Sequence, residues 1–166
     1  MIIFDFDLTL VDTSPVEHLR QQRRWNQVMA AAPKLQVYDG VHDLIQALHA
    51  AGRPMAILTK SPNMVPDHFV KLHGWPIPTV LGYHQVANRK PHPEGLFKAM
   101  SMAGVDPKDV AHVGDRAEDT AAARAAGVLA IGAAWGVNDA AELEASKPDH
   151  LFRSVADLQS FLKDFG

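Results

Sequence analysis

Residues 1–13 read MIIFDFDLTLVDT, and this stretch decides the fold because it joins a strand-forming apolar run to two acidic residues. A run of Ile and Phe is typical of a strand that is covered on both faces, as in a parallel sheet. Asp5 and Asp7 alternate with apolar residues, so strand geometry predicts both carboxylates on one side of the strand's carboxyl end. Buried carboxylates are unfavourable unless they are paired, hydrogen-bonded or metal-bound. Other parts of the chain are therefore expected to supply their partners.

Composition limits the class of protein. The chain has 166 residues, of which 47% are hydrophobic, and this size predicts a single domain over residues 1–166. A net charge of -3 gives no basic footprint for nucleic acid. No cysteine is present, which excludes disulfides and thiolate zinc sites. Neither a membrane-spanning stretch nor a secretory signal is recognisable, so we expect a cytoplasmic protein without membrane or nucleic-acid partners.

Strand-like apolar runs alternate with helix-period segments along the chain, and this alternation predicts an α/β fold with a mainly parallel sheet. Five strands are expected, near residues 2–7, 54–59, 78–82, 109–113 and 128–132. In such a sheet, ligands bind outside the carboxyl ends of the strands, where the strand order reverses. Polar residues at strand ends are therefore the candidates for a functional site.

Four further polar residues stand at such positions. Thr59 closes the second predicted strand and Lys90 follows the third. Asp115 follows the fourth strand, and Asp119 lies one helical turn further along, on the same face. Together with the two carboxylates of the first strand, these side chains are predicted to meet in one crevice.

This combination of residue types indicates phosphoryl transfer. Clustered carboxylates repel one another unless a cation is present, and Mg²⁺ prefers oxygen ligands together with a substrate phosphate. Lys90 adds a fixed positive charge, which suits a transition state that spreads negative charge over phosphoryl oxygens. Asp5 could attack phosphorus to form an aspartyl-phosphate. Asp7 could then protonate the leaving oxygen and later activate water.

The four motifs, in this order and spacing, resemble those of the haloacid dehalogenase superfamily, and specifically its phosphoglycolate-phosphatase-like branch. They are FDFDLTLVDT, ILTKS, RKPHPE and HVGDRAEDTAAARAAG. The resemblance covers nearly the whole chain outside residues 14–36. It implies a three-layer α/β/α sandwich with a Rossmann-like sheet and a Mg²⁺-dependent phosphatase activity.

The resemblance also implies a role for each motif residue. Asp5 would be the nucleophile and Asp7 the general acid and base. Thr59 would bind the phosphoryl group, and Lys90 would neutralise its oxygens and hold Asp5. The implied metal ligands are Asp5, the backbone carbonyl of Asp7, and Asp115, with Asp119 supporting the metal site and counted among its candidate ligands. Lys60 departs from the small or amide residue of relatives, and its side chain could equally contact substrate phosphate or solvent.

Residues 14–36 are too few for the helical cap that branch members insert at this point. We expect a short insert with a single helix, whose Arg20, Arg23 and Arg24 lie on a solvated face. Trp25 is expected to be a packing residue. Capless relatives act on large substrates or use a neighbouring subunit as a lid, so substrate identity stays open and a homo-oligomer is one expectation.

The predicted function is hydrolysis of a phosphate monoester, in a small molecule or a macromolecule. A phosphotransferase or phosphomutase on the same scaffold is the nearest alternative. A dehalogenase is disfavoured because it requires neither Asp7 as a proton donor nor the metal carboxylates. A non-catalytic binding module with this fold is the alternative from another class of protein.

Overall fold

The computed structural model describes residues 1–165, in which a parallel sheet lies between two layers of helices. The strands are β1 Ile2–Phe4, β2 Met55–Leu58, β3 Thr79–Leu81, β4 Ala111–Gly114, β5 Leu129–Ala133 and β6 His150–Phe152. The α-helices are α1 Glu17–Gln21, α2 Trp25–Ala31, α3 Val41–Ala50, α4 Met64–His73, α5 Glu94–Ala103, α6 Ala117–Ala126, α7 Ala141–Ala145 and α8 Val155–Asp164. The predicted α/β/α sandwich with a Rossmann-like sheet is confirmed.

The sheet has six strands in the order β3-β2-β1-β4-β5-β6, where we predicted five. The additional strand β6 pairs in parallel with β5 at the edge of the sheet. It has three residues, all exposed or half-buried. A half-covered edge strand of this length has no extended apolar run, so the hydrophobic pattern did not reveal it.

Successive strand residues alternate between two hydrophobic cores. Ile2 and Phe4 of β1 pack on the side of α3, α4 and α8, whereas Ile3 packs on the side of α5 and α6. This is the period-2 geometry of a strand that is covered on both faces. It explains why β1 consists of three fully buried apolar residues.

The first strand ends at Phe4, earlier than the predicted residue 7. The chain turns immediately afterwards, since the Leu10 amide donates to the Phe6 carbonyl at 3.0 Å and the Leu8 amide to the Val11 carbonyl at 2.9 Å. Leu8 adopts a left-handed φ of 59° in this turn. Asp5 and Asp7 therefore lie in a tight loop beyond the strand, and their carboxylates contact different partners, Lys90 for Asp5 and Ser61 for Asp7.

The segment 14–36 holds two α-helices, α1 and α2, where we predicted one. Arg23 separates them with a left-handed φ of 56°. The interruption lets α2 insert Val28 into the core, whereas α1 buries no residue. Arg23 and Arg24 are exposed as predicted, but Arg20 is half-buried and points into the crevice.

Strands β1 and β4 are neighbours, and from them the chain winds outward in opposite directions. Their carboxyl ends form the crevice in which a fold of this kind binds ligands. Across residues 1–165, every helix is too short or too polar to cross a bilayer.

Candidate active site

Three carboxylates from two motifs meet in this crevice. Asp5 follows β1, Asp115 follows β4, and Asp119 lies in the first turn of α6. One oxygen of each lies within 4.8 Å of the others, and all three side chains are buried. Burial raises the pKa of Asp5 to about 6, with smaller upward effects from Asp119 and Asp7 that Lys90 partly opposes.

The pKa of Asp115 is raised further, to about 8, chiefly by burial and then by the nearby Asp5 and Asp119. Its Oδ1 accepts a long hydrogen bond of 3.4 Å from the Thr9 hydroxyl. Asp115 and Asp5 are thus the two carboxylates of the cluster whose negative charge is least compensated.

Lys90 is the buried cation of the cluster. Its Nζ lies 3.1 Å from Asp5 Oδ1 and 2.6 Å from Asp119 Oδ1. Burial alone would lower the pKa of Lys90, but the Asp119 and Asp5 carboxylates raise it. Asp119 also lies 3.1 Å from His112 Nε2. Although burial acts upward on the pKa of Asp119, Lys90 and His112 lower it, so this carboxylate is well compensated.

Asp7 is not one of the three clustered carboxylates, and its side chain has partners of its own. Its Oδ2 accepts a hydrogen bond of 2.8 Å from the Ser61 hydroxyl and one of 3.3 Å from the Thr59 hydroxyl. The same oxygen lies 2.9 Å from Nη2 of Arg20. Asp7 Oδ1 is buried and has no hydrogen-bond partner within residues 1–165.

The predicted residues converge on one pocket of about 240 Å³. Asp5, Asp7, Thr59, Lys60 and Lys90 all line it, whereas Asp115 and Asp119 are not among its lining residues. Lys60 is exposed, and its Nζ forms an ion pair of 2.8 Å with Glu118 of α6. Its side chain therefore lies at the mouth of the pocket, exposed to solvent and paired with Glu118.

Three contacting residues were not predicted. Arg20 reaches Asp7 from the insert, which contradicts its expected place on a solvated face. Ser61 holds Asp7 from the loop after β2, and a signal existed, because Ser61 lies two residues after Thr59 at a strand end. His112 was detectable as an imidazole within an otherwise apolar buried strand, and its Nδ1 contacts the Ile3 carbonyl at 3.0 Å.

The family of the chain follows from a match between its sequence and a family profile. The sequence profile described as haloacid dehalogenase-like hydrolase matches residues 16–133, more than half of the chain. The chain belongs to this family. The matched range begins after the FDFD motif and contains the other three motifs, ILTKS, RKPHPE and HVGDRAEDTAAARAAG.

Curated relatives of this haloacid dehalogenase-like chain include phosphoglycolate phosphatases. That of Xylella fastidiosa (strain Temecula1) is 39% identical over 101 residues, covering 60% of this chain and 44% of the relative. That of Escherichia coli (strain K12) is 32% identical over 126 residues, covering 74% of this chain and 49% of the relative. The chain thus spans about half the length of the curated relatives it matches.

Solved structures of the haloacid dehalogenase-like fold superpose well. A predicted phosphoglycolate phosphatase from Haemophilus somnus 129Pt has a TM-score of 0.82 at 22% identity, covering 98% of this chain and 97% of that one. CbbY from Rhodobacter sphaeroides, in complex with phosphate, has a TM-score of 0.78 at 18% identity, covering 95% of each chain. At these identities the similarity concerns the fold.

Proposed function

We propose that this chain is a Mg²⁺-dependent phosphatase that hydrolyses a phosphate monoester through an aspartyl-phosphate on Asp5. The observation that carries the proposal is the buried cluster of Asp5 and Asp115 beside Lys90, open to a pocket at the carboxyl ends of β1 and β4. The phosphatase names of the curated relatives support the same reaction type.

In the proposed reaction, an Asp5 carboxylate oxygen attacks phosphorus and the ester P–O bond breaks. The Phe6 amide, at 2.7 Å, and Lys90 both hold Asp5 Oδ1, which fixes the orientation of the carboxylate. Asp7 donates a proton to the leaving oxygen. Asp7 then takes a proton from the water that cleaves the aspartyl-phosphate, which returns Asp5 and releases inorganic phosphate.

The phosphoryl oxygens need positive charge and donors around them. We assign this role to Lys90 and to the Thr59 hydroxyl, both of which line the pocket. Lys60 could contribute from the pocket mouth after leaving Glu118. Donors of this kind act by stabilising charge that spreads over the phosphoryl oxygens in the transition state.

The residues present fit a magnesium ion. Asp5 and Asp115 are buried carboxylates, close to each other, whose pKa values are raised chiefly by burial, and hard oxygen donors are what Mg²⁺ prefers. We propose that these two side chains and the Asp7 carbonyl hold it, while Asp119 orients Lys90. Bound Mg²⁺ would neutralise phosphoryl charge and lessen its repulsion from Asp5.

The predictions about domain organisation, substrate and location also belong to this proposal. We propose that residues 14–36 stand in place of a cap on one core domain and that the protein acts on a phosphorylated substrate in the cytoplasm. A phosphotransferase or phosphomutase would use the same Asp5 chemistry, with a substrate hydroxyl in place of water. A binding module would bind the phosphorylated compound without turnover.

The test is hydrolysis of 4-nitrophenyl phosphate with Mg²⁺, with EDTA, and by Asp5→Asn. We expect turnover only in the first case, since the other two lack the cation or the nucleophile. Asp106→Asn is the matched control, because Asp106 is exposed and lies before the amino end of β4, whereas the site lies at the carboxyl end of that strand. Equal rates under all conditions would contradict the mechanism.

A further inference from the structure

A second hollow of about 200 Å³ adjoins the catalytic pocket. We call it the annex and define it by Arg20, Arg23, Trp25, Lys60, Tyr83 and His84. Three of these residues, Arg20, Trp25 and Lys60, also line the catalytic pocket. The two hollows therefore lie side by side, and a group that is esterified to a phosphate beside Asp5 would lie next to the annex.

The annex is positively charged. Arg20, Arg23 and Lys60 line it, and none of its lining residues is acidic. Arg20 and Lys60 already pair with Asp7 and Glu118. Arg23, in contrast, is exposed and forms no ion pair within residues 1–165. It is the cation of the annex that is available to an anionic ligand.

The other walls of the annex are aromatic. Trp25 packs partly against the core, as predicted, and its remaining surface lines the annex. Tyr83 is 39% exposed, and the Arg89 guanidinium lies 3.5 Å from the centroid of its ring. The His84 ring meets the Tyr83 ring edge-on at 5.0 Å. Aromatic and cationic walls together favour a flat ring that carries negative charge.

The backbone supports a functional role for Arg23. Its φ of 56° lies in the left-handed region, which glycine adopts freely and arginine rarely does. A strained conformation of this kind is often associated with a functional site. Here the residue in this conformation is one that lines the annex.

We propose that the annex binds the leaving group of the substrate, and that the substrate is a phosphate monoester of an aromatic or heteroaromatic alcohol carrying a second negative charge. The ring packs among Trp25, Tyr83 and His84, and the second charge pairs with Arg23. This inference rests on the proposed function, because it places the scissile phosphate beside Asp5.

The test compares phenyl phosphate with 4-carboxyphenyl phosphate, which carries the second negative charge as a carboxylate on the ring. We expect KM to be about tenfold lower for the carboxylated compound, as a charge-assisted hydrogen bond would give. Arg23→Gly should abolish this preference without lowering the melting temperature, because glycine suits the left-handed backbone. Arg24→Gly is the matched control and should keep the preference, since Arg24 lines neither hollow.

A ring-free pair tests the aromatic part of the proposal. Glycerol 3-phosphate and 3-phosphoglycerate also differ in a carboxylate, and we expect a smaller preference between them. An equal preference in both pairs, or one that persists in Arg23→Gly, would overturn the inference.

These experiments distinguish failure of the annex proposal from failure of the phosphatase proposal. Turnover of phenyl phosphate with no carboxylate preference contradicts the annex proposal and leaves the phosphatase proposal standing. If no compound is turned over, the phosphatase proposal fails. Calorimetric affinities of both aryl phosphates for the Asp5→Asn protein, with and without Arg23→Gly, then decide the annex proposal by the same tenfold criterion.

Discussion

At the scale of single residues, Lys90 decides whether the carboxylate cluster is tolerable in a folded protein. Its side chain is 2% exposed and contacts both Asp5 and Asp119. Removing one partner of a buried ion pair lowers the stability of a protein far more than replacing both partners by apolar residues. The reason is that the remaining charge loses its compensation inside the protein.

We predict that Lys90→Met lowers the free energy of unfolding by about 3–5 kcal/mol in EDTA. Urea denaturation followed by circular dichroism measures this loss. Lys108→Met is the matched control, since Lys108 is exposed, and it should change stability by less than about 0.5 kcal/mol. Similar stabilities of the two variants would mean that Lys90 does not hold the cluster together.

Most of the predicted site residues lie at the carboxyl end of a strand or in the loop that follows it. Thr59 and Asp115 directly follow β2 and β4, whereas Lys90 lies in the loop that leads from β3 to α5. These positions made the three residues visible in the sequence, because a parallel sheet brings its carboxyl ends together. Arg20 has no such marker. Its approach to Asp7 depends on the path of a short irregular insert, which hydrophobic periodicity does not encode.

At the scale of elements, the ends of β4 and β5 differ in how closely other atoms approach them. Gly114 and Gly132 are paired in register across these two strands. A Cβ on Gly114 would lie 2.3 Å from Cγ of Asp119. A Cβ on Gly132 would meet only the side chains of Pro148 and Leu143, at 3.1 Å or more. The end of β4 therefore fixes the position of Asp119.

We predict that Gly114→Ala displaces Asp119 from Lys90 and reduces kcat by at least tenfold, because Lys90 loses the partner that orients it. Gly132→Ala, at the paired position, should keep most of the activity, since the side chains near it can shift. Steady-state hydrolysis of 4-nitrophenyl phosphate checks both variants. Equal activity of the two proteins would show that the position of Asp119 does not matter.

An element can be read from the sequence where it buries a continuous or periodic apolar face. α3 is such a case, with Val41, Leu44, Ile45 and Leu48 buried at helical spacing. β6 and the break between α1 and α2 were missed for the opposite reason. An edge strand of three residues and a five-residue helix with no buried residue leave no hydrophobic pattern to read.

At the scale of the whole molecule, the carboxylate cluster links stability to pH and to Mg²⁺. Burial raises the pKa of Asp5 to about 6 and that of Asp115 to about 8. Between about pH 4 and pH 8, the folded protein therefore holds protons that the unfolded chain has already released. Without metal, these two groups make the protein less stable as pH rises through that window.

Other titratable groups change the stability of the protein outside this pH window or in the opposite direction. The pKa of Asp119 is lowered by Lys90 and His112 against the effect of burial, so its contribution to stability is lost only as pH falls below the window. Burial, followed by the neighbouring His42, lowers the pKa of His73. This histidine therefore adds stability as pH rises towards its ordinary pKa of about 6.5, and it adds nothing further above that value. Comparison with a matched variant therefore separates the contribution of the carboxylate cluster to this pH dependence from that of the other groups.

We predict that the rise in melting temperature caused by Mg²⁺ grows between about pH 5 and pH 8, because metal must displace fewer protons from Asp5 and Asp115 as pH rises. For a chain of this size, each kcal/mol of binding free energy raises the melting temperature by about 2–4 °C. Scanning fluorimetry in EDTA and in Mg²⁺ measures the difference at each pH. Asp115→Asn should weaken both the Mg²⁺ effect and its pH dependence, and Asp106→Asn should keep both. A Mg²⁺ effect of the same size at every pH would mean that the raised carboxylates do not bind the metal.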